Sequence, residues 1–338
     1  MKGSPKTARA FVYRAGVRIA GTVVACDAAA GSDLVFLSHA AVLGARTRRA
    51  LPRLGGSRRQ VLATDMTLTL LGPVGDRLRA QALVAPYGRP FALGDLRLEL
   101  YPSGHLPGAA SLLCERDGRR VAYTGPIGEA AELRTADAVC LDARSAARDV
   151  VFPKLALAEE SLRALASEGS AGGAPLFMID PLSLAPLVAR VLSRAGLRMR
   201  APRAVLEAIA AFRRAEPAPP AARTVQRYAG RLADDEVLLW PAQARPPVLA
   251  GRAAARPRIL VSPRAGGPTS EITGTSRAVR FPFGGDLVTL VQYVEATGAS
   301  EVALWGAPDD ALAEALRGRG RTVYRLGPPR QIDLFGAG

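Results

Sequence analysis

Near residue 154 the apolar residues of this 338-residue chain change their spacing, and that change limits the fold more than any other feature. Ahead of it the chain reads as short strands and turns. Phe11–Tyr13, Arg18–Cys26 and Asp33–Ser38 are β-rich runs broken by Gly16 and Gly31. Arg97–Tyr101 alternates charged and apolar residues, as a half-buried strand does. Ser111–Glu115 and Arg120–Thr124 flank Arg116-Asp117-Gly118, and Asp-Gly between two apolar runs predicts a hairpin. Ala138–Asp142 has the composition of a buried strand. Beyond 154, strands alternate with helices. Helices are predicted at Leu155–Ser167, Leu182–Ala195 (closed by Gly196), Arg203–Ala215, Asp286–Thr297 and Pro308–Arg317. Strands are predicted at Pro175–Asp180, Val237–Trp240, Arg258–Ser262, Ala278–Phe281, Glu301–Trp305 and Thr322–Leu326, with Glu216–Ala222 as a Pro- and Ala-rich loop. The alternation predicts a mixed α/β protein.

The chain is long and apolar enough, at 49% hydrophobic residues, to bury a real core, which excludes wholesale disorder. No window holds 18 uninterrupted apolar residues, so a helical membrane span is not expected. Met-Lys-Gly-Ser-Pro-Lys leads into no clean apolar stretch of signal-peptide length, so the cytoplasm is the expected compartment. Cys26, Cys114 and Cys140 are too few and too scattered for a disulfide framework or a zinc cluster, and read as small buried hydrophobes.

Charge is the strongest pointer to a partner. The chain carries 45 basic and 30 acidic residues, a net +15. Lys2, Lys6 and Lys154 are its three lysines, so arginine supplies nearly all of the positive charge. A surplus of this size favours a polyanion, DNA or RNA, through phosphate contacts and counterion release. Arg46, Arg48, Arg49, Arg53, Arg58 and Arg59 form a run without any acidic residue and are the expected DNA contacts. Gly266-Gly267-Pro268-Thr269-Ser270 lacks the Gly-Lys-Ser/Thr ending of a nucleotide loop and reads as a turn.

Three segments together resemble the metallo-β-lactamase fold and, within it, the β-CASP nucleases. Val35-Phe36-Leu37-Ser38-His39-Ala40 resembles the strand that opens a His-x-His-x-Asp-His motif. Tyr101-Pro102-Ser103-Gly104-His105-Leu106-Pro107-Gly108-Ala109-Ala110-Ser111, followed past the hairpin by Val121-Ala122-Tyr123-Thr124-Gly125, resembles the Gly-His-x-x-Gly-Ser strand pair that normally ends in Thr-Gly-Asp. Arg280 through Glu295-Ala296-Thr297-Gly298-Ala299 to Leu304-Trp305-Gly306 is similar to the closing module, where Ser-x-His-Ala-Asp leads a helix and a later strand ends in His-Gly. Length, order and the Ala-Thr-Gly-Ala junction are most similar to the bacterial ligase-associated DNA exonucleases. The likeness covers the chain apart from its tail and is weakest between about 150 and 275.

The resemblance implies an αββα four-layer sandwich with an inserted β-CASP-like α/β subdomain: residues 1–150 and 276–326 forming the sandwich, 151–275 the insert and 327–338 an exposed tail. In that family histidines and aspartates hold two zinc ions that activate a bridging water. Here most of those positions differ. His39 matches the first histidine, but Ala41, Leu43 and Gly44 stand at the rest of that motif. His105 matches the Gly-His histidine, Pro126 replaces the bridging aspartate, Gly284 the later histidine and Trp305 the last one. Asp286 is retained, and Asp142 matches the acidic residue that opens the β-CASP region. His39 and His105 are the chain's two histidines, so no other imidazole can rebuild the set. They read either as hydrogen-bonded core histidines packing their loops, or, with Asp142, as a reduced metal site. The expectation is a catalytically inactive, metal-free homologue; the rival is a zinc-dependent exonuclease with a reduced or partner-completed site.

Gln331-Ile332-Asp333-Leu334-Phe335 resembles the pentapeptide that binds the bacterial sliding clamp. Gly327-Pro328-Pro329 before it cannot continue a regular element, which favours display of a short extended ligand. The expected partners are therefore DNA, the sliding clamp, and a DNA ligase or an active nuclease paralogue; no membrane is expected.

Overall fold

In the computed structural model the described residues are 9–28, 33–42, 60–168, 173–179, 184–215, 225–245, 247–249, 254–263 and 277–328. They form a mixed α/β fold with three sheets. The basic run Arg46–Arg59 and the tail pentapeptide Gln331–Phe335 lie outside the described residues, as do Leu43, Gly44 and the turn 266–270.

The first sheet follows chain order: β1 (Phe11–Tyr13), β2 (Val17–Ile19), β3 (Val24–Cys26), β4 (Leu34–Phe36), β5 (Gln60–Ala63) and β6 (Ala82–Val84). Its first three strands are antiparallel, and β3 through β6 run parallel. The single strand expected at Arg18–Cys26 is two, because Thr22 folds the chain between them. Its hydroxyl donates to the Ile19 carbonyl and accepts from the Val24 amide. Two six-residue helices, α1 (Asp65–Leu70) and α2 (Pro73–Leu78), follow β5. Thr64 caps α1 by accepting from the Thr67 amide.

The second sheet has seven strands: β7 (Phe91–Leu93), β8 (Leu96–Pro102), β9 (Ala110–Arg116), β10 (Arg119–Tyr123), β11 (Ala138–Asp142), β18 (Glu301–Trp305) and β19 (Thr322–Leu326), in the order β19-β18-β11-β10-β9-β8-β7. The Asp-Gly hairpin is present. Asp117 and Gly118 have φ of 51° and 75°, the pair of left-handed residues that a type I′ turn requires, and Arg116 faces Arg119 across it.

Side-chain alternation distributes each strand between two cores. Leu34 and Phe36 of β4, with Phe11 and Leu62, meet Leu98, Leu112, Tyr123, Ala138 and Cys140 of the second sheet, so one core lies between the two sheets. Val35 and Leu37 point the other way, to Leu68 of α1 and Leu78 of α2. On the far side of the second sheet, Val139, Leu141 and Val302 meet Leu290 and Val294 of α6 (Leu287–Thr297) and Leu312 of α7 (Ala311–Arg317). All three cysteines are buried and free, as their surroundings in the sequence imply.

Between β11 and β18 the chain builds a third sheet, parallel throughout: α3 (Leu155–Ser167), β12 (Leu176–Ile179), α4 (Ala185–Arg194), β13 (Arg198–Ala201), α5 (Arg203–Ala215), β14 (Val225–Arg227), β15 (Glu236–Pro241), β16 (Arg258–Ser262) and β17 (Arg277–Arg280), in strand order β14-β13-β15-β12-β16-β17. Helices α3, α4 and α5 cover one face through Leu162, Val188, Leu192 and Val205. Strand β17 pairs with β16, so this sheet runs past residue 275, where the sequence places the end of the insert. Helix α7 starts at Ala311, later than the expected Pro308, because the Asp309 carboxylate accepts from the Ala311 amide and holds Pro308–Asp310 outside the helix. Among the described residues no helix is long and apolar enough to cross a membrane.

Candidate functional site

Strands β8, β10, β11 and β18 all point the same way, so their C-terminal ends share one edge of the second sheet. The Ser38 carbonyl, just past β4, accepts from the Ala110 amide and ties the first sheet to that edge. This geometry brings His39 and His105 together from positions 66 residues apart in the sequence. Their ring centroids are 5.2 Å apart and the rings are nearly perpendicular. The Phe283 ring also packs against His105, centroids 3.9 Å apart.

His39 is 2% exposed and sits at the end of a buried polar chain. Asp27 accepts from the Ser38 amide (2.8 Å), from the Ser38 hydroxyl (2.5 Å) and from the Tyr123 hydroxyl (2.9 Å). The Ser38 oxygen is 2.9 Å from His39 Nδ1. With the one hydroxyl proton of Ser38 directed at the Asp27 carboxylate, His39 Nδ1 must be the donor, which leaves Nε2 without a proton. The order carboxylate–hydroxyl–imidazole is not that of a nucleophilic triad, where the imidazole stands between the other two. Ser38 is also fully buried. Burial pushes the Asp27 carboxyl up to about 6, against the pull of its three donors. Burial, with the positive charge of Arg144 adding to it, lowers His39 to about 3.

His105 sits in the loop after β8. Its Nε2 is covered and has no hydrogen-bond partner among the described residues, and the Ser103 hydroxyl of the same loop is likewise buried without one among them. Burial holds this imidazole well below its ordinary pKa; His39 and Arg144 act in the same direction and Asp142 opposes them.

Asp142 ends β11 with its side chain 4% exposed, and Arg144 pairs with it through two nitrogens. Nε lies 2.9 Å from Oδ1 and Nη2 lies 2.5 Å from Oδ2. The carboxylate raises the already high pKa of the guanidinium. Gly306, at φ 70°, lets the arginine stem lie against the turn after β18, since a Cβ there would stand 2.5 Å from Arg144 Cγ. Trp305, at a position where the resemblance implies a histidine, packs against the core between the sheets and lies near Tyr13, ring centroids 6.1 Å apart. Asp286 caps α6, accepting from the Thr289 amide (2.9 Å) and the Phe152 amide (3.0 Å).

Zinc needs about three or four nitrogen, sulfur or oxygen ligands at one point. Two imidazoles are available here, while Asp142 is engaged by Arg144 and Asp27 by Ser38 and Tyr123. Among the described residues no group of three or more His, Cys, Asp or Glu side chains could hold a metal ion. These residues do not fit the paired-zinc site that the resemblance implies. The arrangement offers two neutral imidazoles and an arginine oriented by a buried carboxylate.

Sequence reasoning singled out His39, His105 and Asp142, and all three line this edge. It missed Asp27, Tyr123, Phe283 and Arg144. Only Arg144 left a signal, its position two residues beyond Asp142, where a strand end gives way to a turn. No protein-family model matches the chain, and no curated protein matches it.

Proposed function

We propose that this chain is a metal-free, catalytically inactive relative of the β-CASP nucleases, built on the αββα sandwich of the metallo-β-lactamase fold, and that it serves DNA replication or repair as a DNA-binding accessory factor. The observation that carries the reading is the Asp142–Arg144 pair. It puts a fixed positive charge beside the two histidines and engages the acidic residue that a metal would need. The layers support the fold assignment: two sheets share a core, with helices on the outer face of each. Net charge supports the partner, since +15 favours a polyphosphate. The Gln331–Phe335 segment supports recruitment by a sliding clamp, with Leu334 and Phe335 as the apolar anchors.

Purified full chain, assayed for bound metal, nuclease activity and DNA affinity, tests the reading. The expected outcome is no stoichiometric zinc or manganese, no cleavage, and DNA affinity that falls steeply with salt. Near-stoichiometric metal, removed by chelator together with a cleavage activity, would sink it. Titration of purified clamp tests the tail: binding at roughly micromolar strength is expected. Truncation after Arg330 and the pair Leu334→Ala, Phe335→Ala should each abolish it, and equal binding by all three proteins would end the clamp assignment.

A further inference from the structure

We propose that His105, His39 and Arg144 form a binding site for a phosphate monoester carried at the end of a DNA strand. The inference rests on the DNA-binding reading and gives this site its ligand. Its first support is a nitrogen without a partner among the described residues: His105 Nε2 is covered and makes no hydrogen bond with them. Buried polar atoms in folded proteins are nearly always satisfied, and an orphan carries a desolvation cost that a ligand oxygen would remove. The second is the arginine beside it. Asp142 grips Arg144 by Nε and Nη2, which fixes the plane of the guanidinium, and the arginine side chain remains 47% exposed. A carboxylate-anchored guanidinium with its side chain half exposed holds a planar positive charge in a fixed orientation, to which a phosphate oxygen is drawn.

The chemistry of the imidazoles suits an anion better than a metal. His105 can present Nε2–H to a phosphate oxygen, while His39, its Nδ1–H donating to Ser38, lies against the His105 ring. Depth selects a monoester over the internal diester of a strand. Asp142 and His39 are almost wholly buried, at 5% and 2% exposure, so a strand end can reach the site where a continuous backbone passes over it. A terminal phosphate also carries close to two charges at neutral pH against one for a diester.

The chain has two histidines and both lie here, so imidazole NMR signals read this site alone. Titrating the full chain with inorganic phosphate, at ionic strength matched with chloride, should shift the His105 signal saturably. In a second arm, otherwise identical oligonucleotides ending in a 5′-phosphate, a 3′-phosphate or hydroxyls are compared at one salt concentration. One phosphorylated end is expected to bind at least about tenfold tighter, the value of one charge-assisted hydrogen bond. Arg144→Lys, which keeps the charge opposite Asp142, and His105→Gln should each erase that preference and leave affinity for the hydroxyl-ended strand within about twofold. Equal affinity for phosphate and hydroxyl ends, with His105 signals unmoved by phosphate, overturns the inference while leaving general DNA binding intact. A saturable shift with phosphate in a protein that binds no DNA keeps the phosphate site, assigns it to a soluble phosphomonoester, and overturns the DNA reading instead.

Discussion

Three buried side chains couple folding to mild acid, and they do not agree in sign. His39 titrates near 3 in the folded chain against 6.5 when exposed, and His105 is also depressed. Their contribution is complete above about pH 6.5 and is lost as pH falls, because the unfolded chain takes up protons that the folded chain refuses. Asp27 is the reverse case. Its carboxyl is raised to about 6, so its contribution is present below the ordinary carboxylate range and lost as pH rises through 6. Two groups outweigh one, so stability should fall on going from pH 6 to pH 5. In the double variant His39→Gln, His105→Gln only Asp27 remains, so stability should rise over that interval. Urea midpoints at pH 6 and pH 5 check this, and an unchanged sign in the variant would refute it. The ion pair gives a second expectation. Arg144→Ala strands the buried Asp142 carboxylate and should cost about 3 kcal/mol, whereas Arg144→Ala with Asp142→Leu should recover most of it. Urea unfolding of the two variants checks it, and equal losses would show that the pair is not what binds this edge together.

At the scale of elements, the long periodic segments were legible and the short ones were not. Leu155–Ser167, Arg203–Ala215 and Glu301–Trp305 lie where hydrophobic spacing puts them. Helices α1 and α2 have six residues each, under two turns, too few for a helical period to emerge from composition. Strand β13, Arg198–Ala201, carries two arginines whose partners, Asp235 and Glu236, come from next to or within a neighbouring strand, so its sequence alone reads as polar linker. The site divides in the same way. The histidines and Asp142 stand at recognisable strand ends, while Asp27 and Phe283 enter only through tertiary approach. Asp286, which the resemblance counts among its motif positions, caps α6 and accepts from the Phe152 amide. Asp286→Ala should therefore cost about 1–2 kcal/mol of stability without altering DNA affinity. Thermal unfolding beside a binding assay checks it, and a loss of affinity at full stability would return Asp286 to a functional role.

For the whole molecule the dominant quantity is charge. If Arg46–Arg59 meets phosphate, neutralising Arg48, Arg49, Arg58 and Arg59 should lower the slope of log K against log salt. On duplex DNA the drop is up to about 0.9 for every phosphate that the variant no longer neutralises. An unchanged slope and affinity in that quadruple variant would place the DNA elsewhere on the basic surface. The order of strands in the second sheet has a consequence of a different kind. Strand β11 pairs with β18, which the ribosome adds only after the entire third sheet has been made. Until then the nascent chain carries an unpaired parallel edge at β11, and the apolar face of Val139 and Leu141 has no α6 or α7 to cover it. At ordinary elongation rates of about 5–20 residues per second, that interval lasts many seconds. The third sheet, with its own core, can fold in the meantime. Synthesis therefore finishes the middle of this protein before its beginning, and translation halted short of residue 301 leaves a sticky half-sheet for chaperones or proteases to meet.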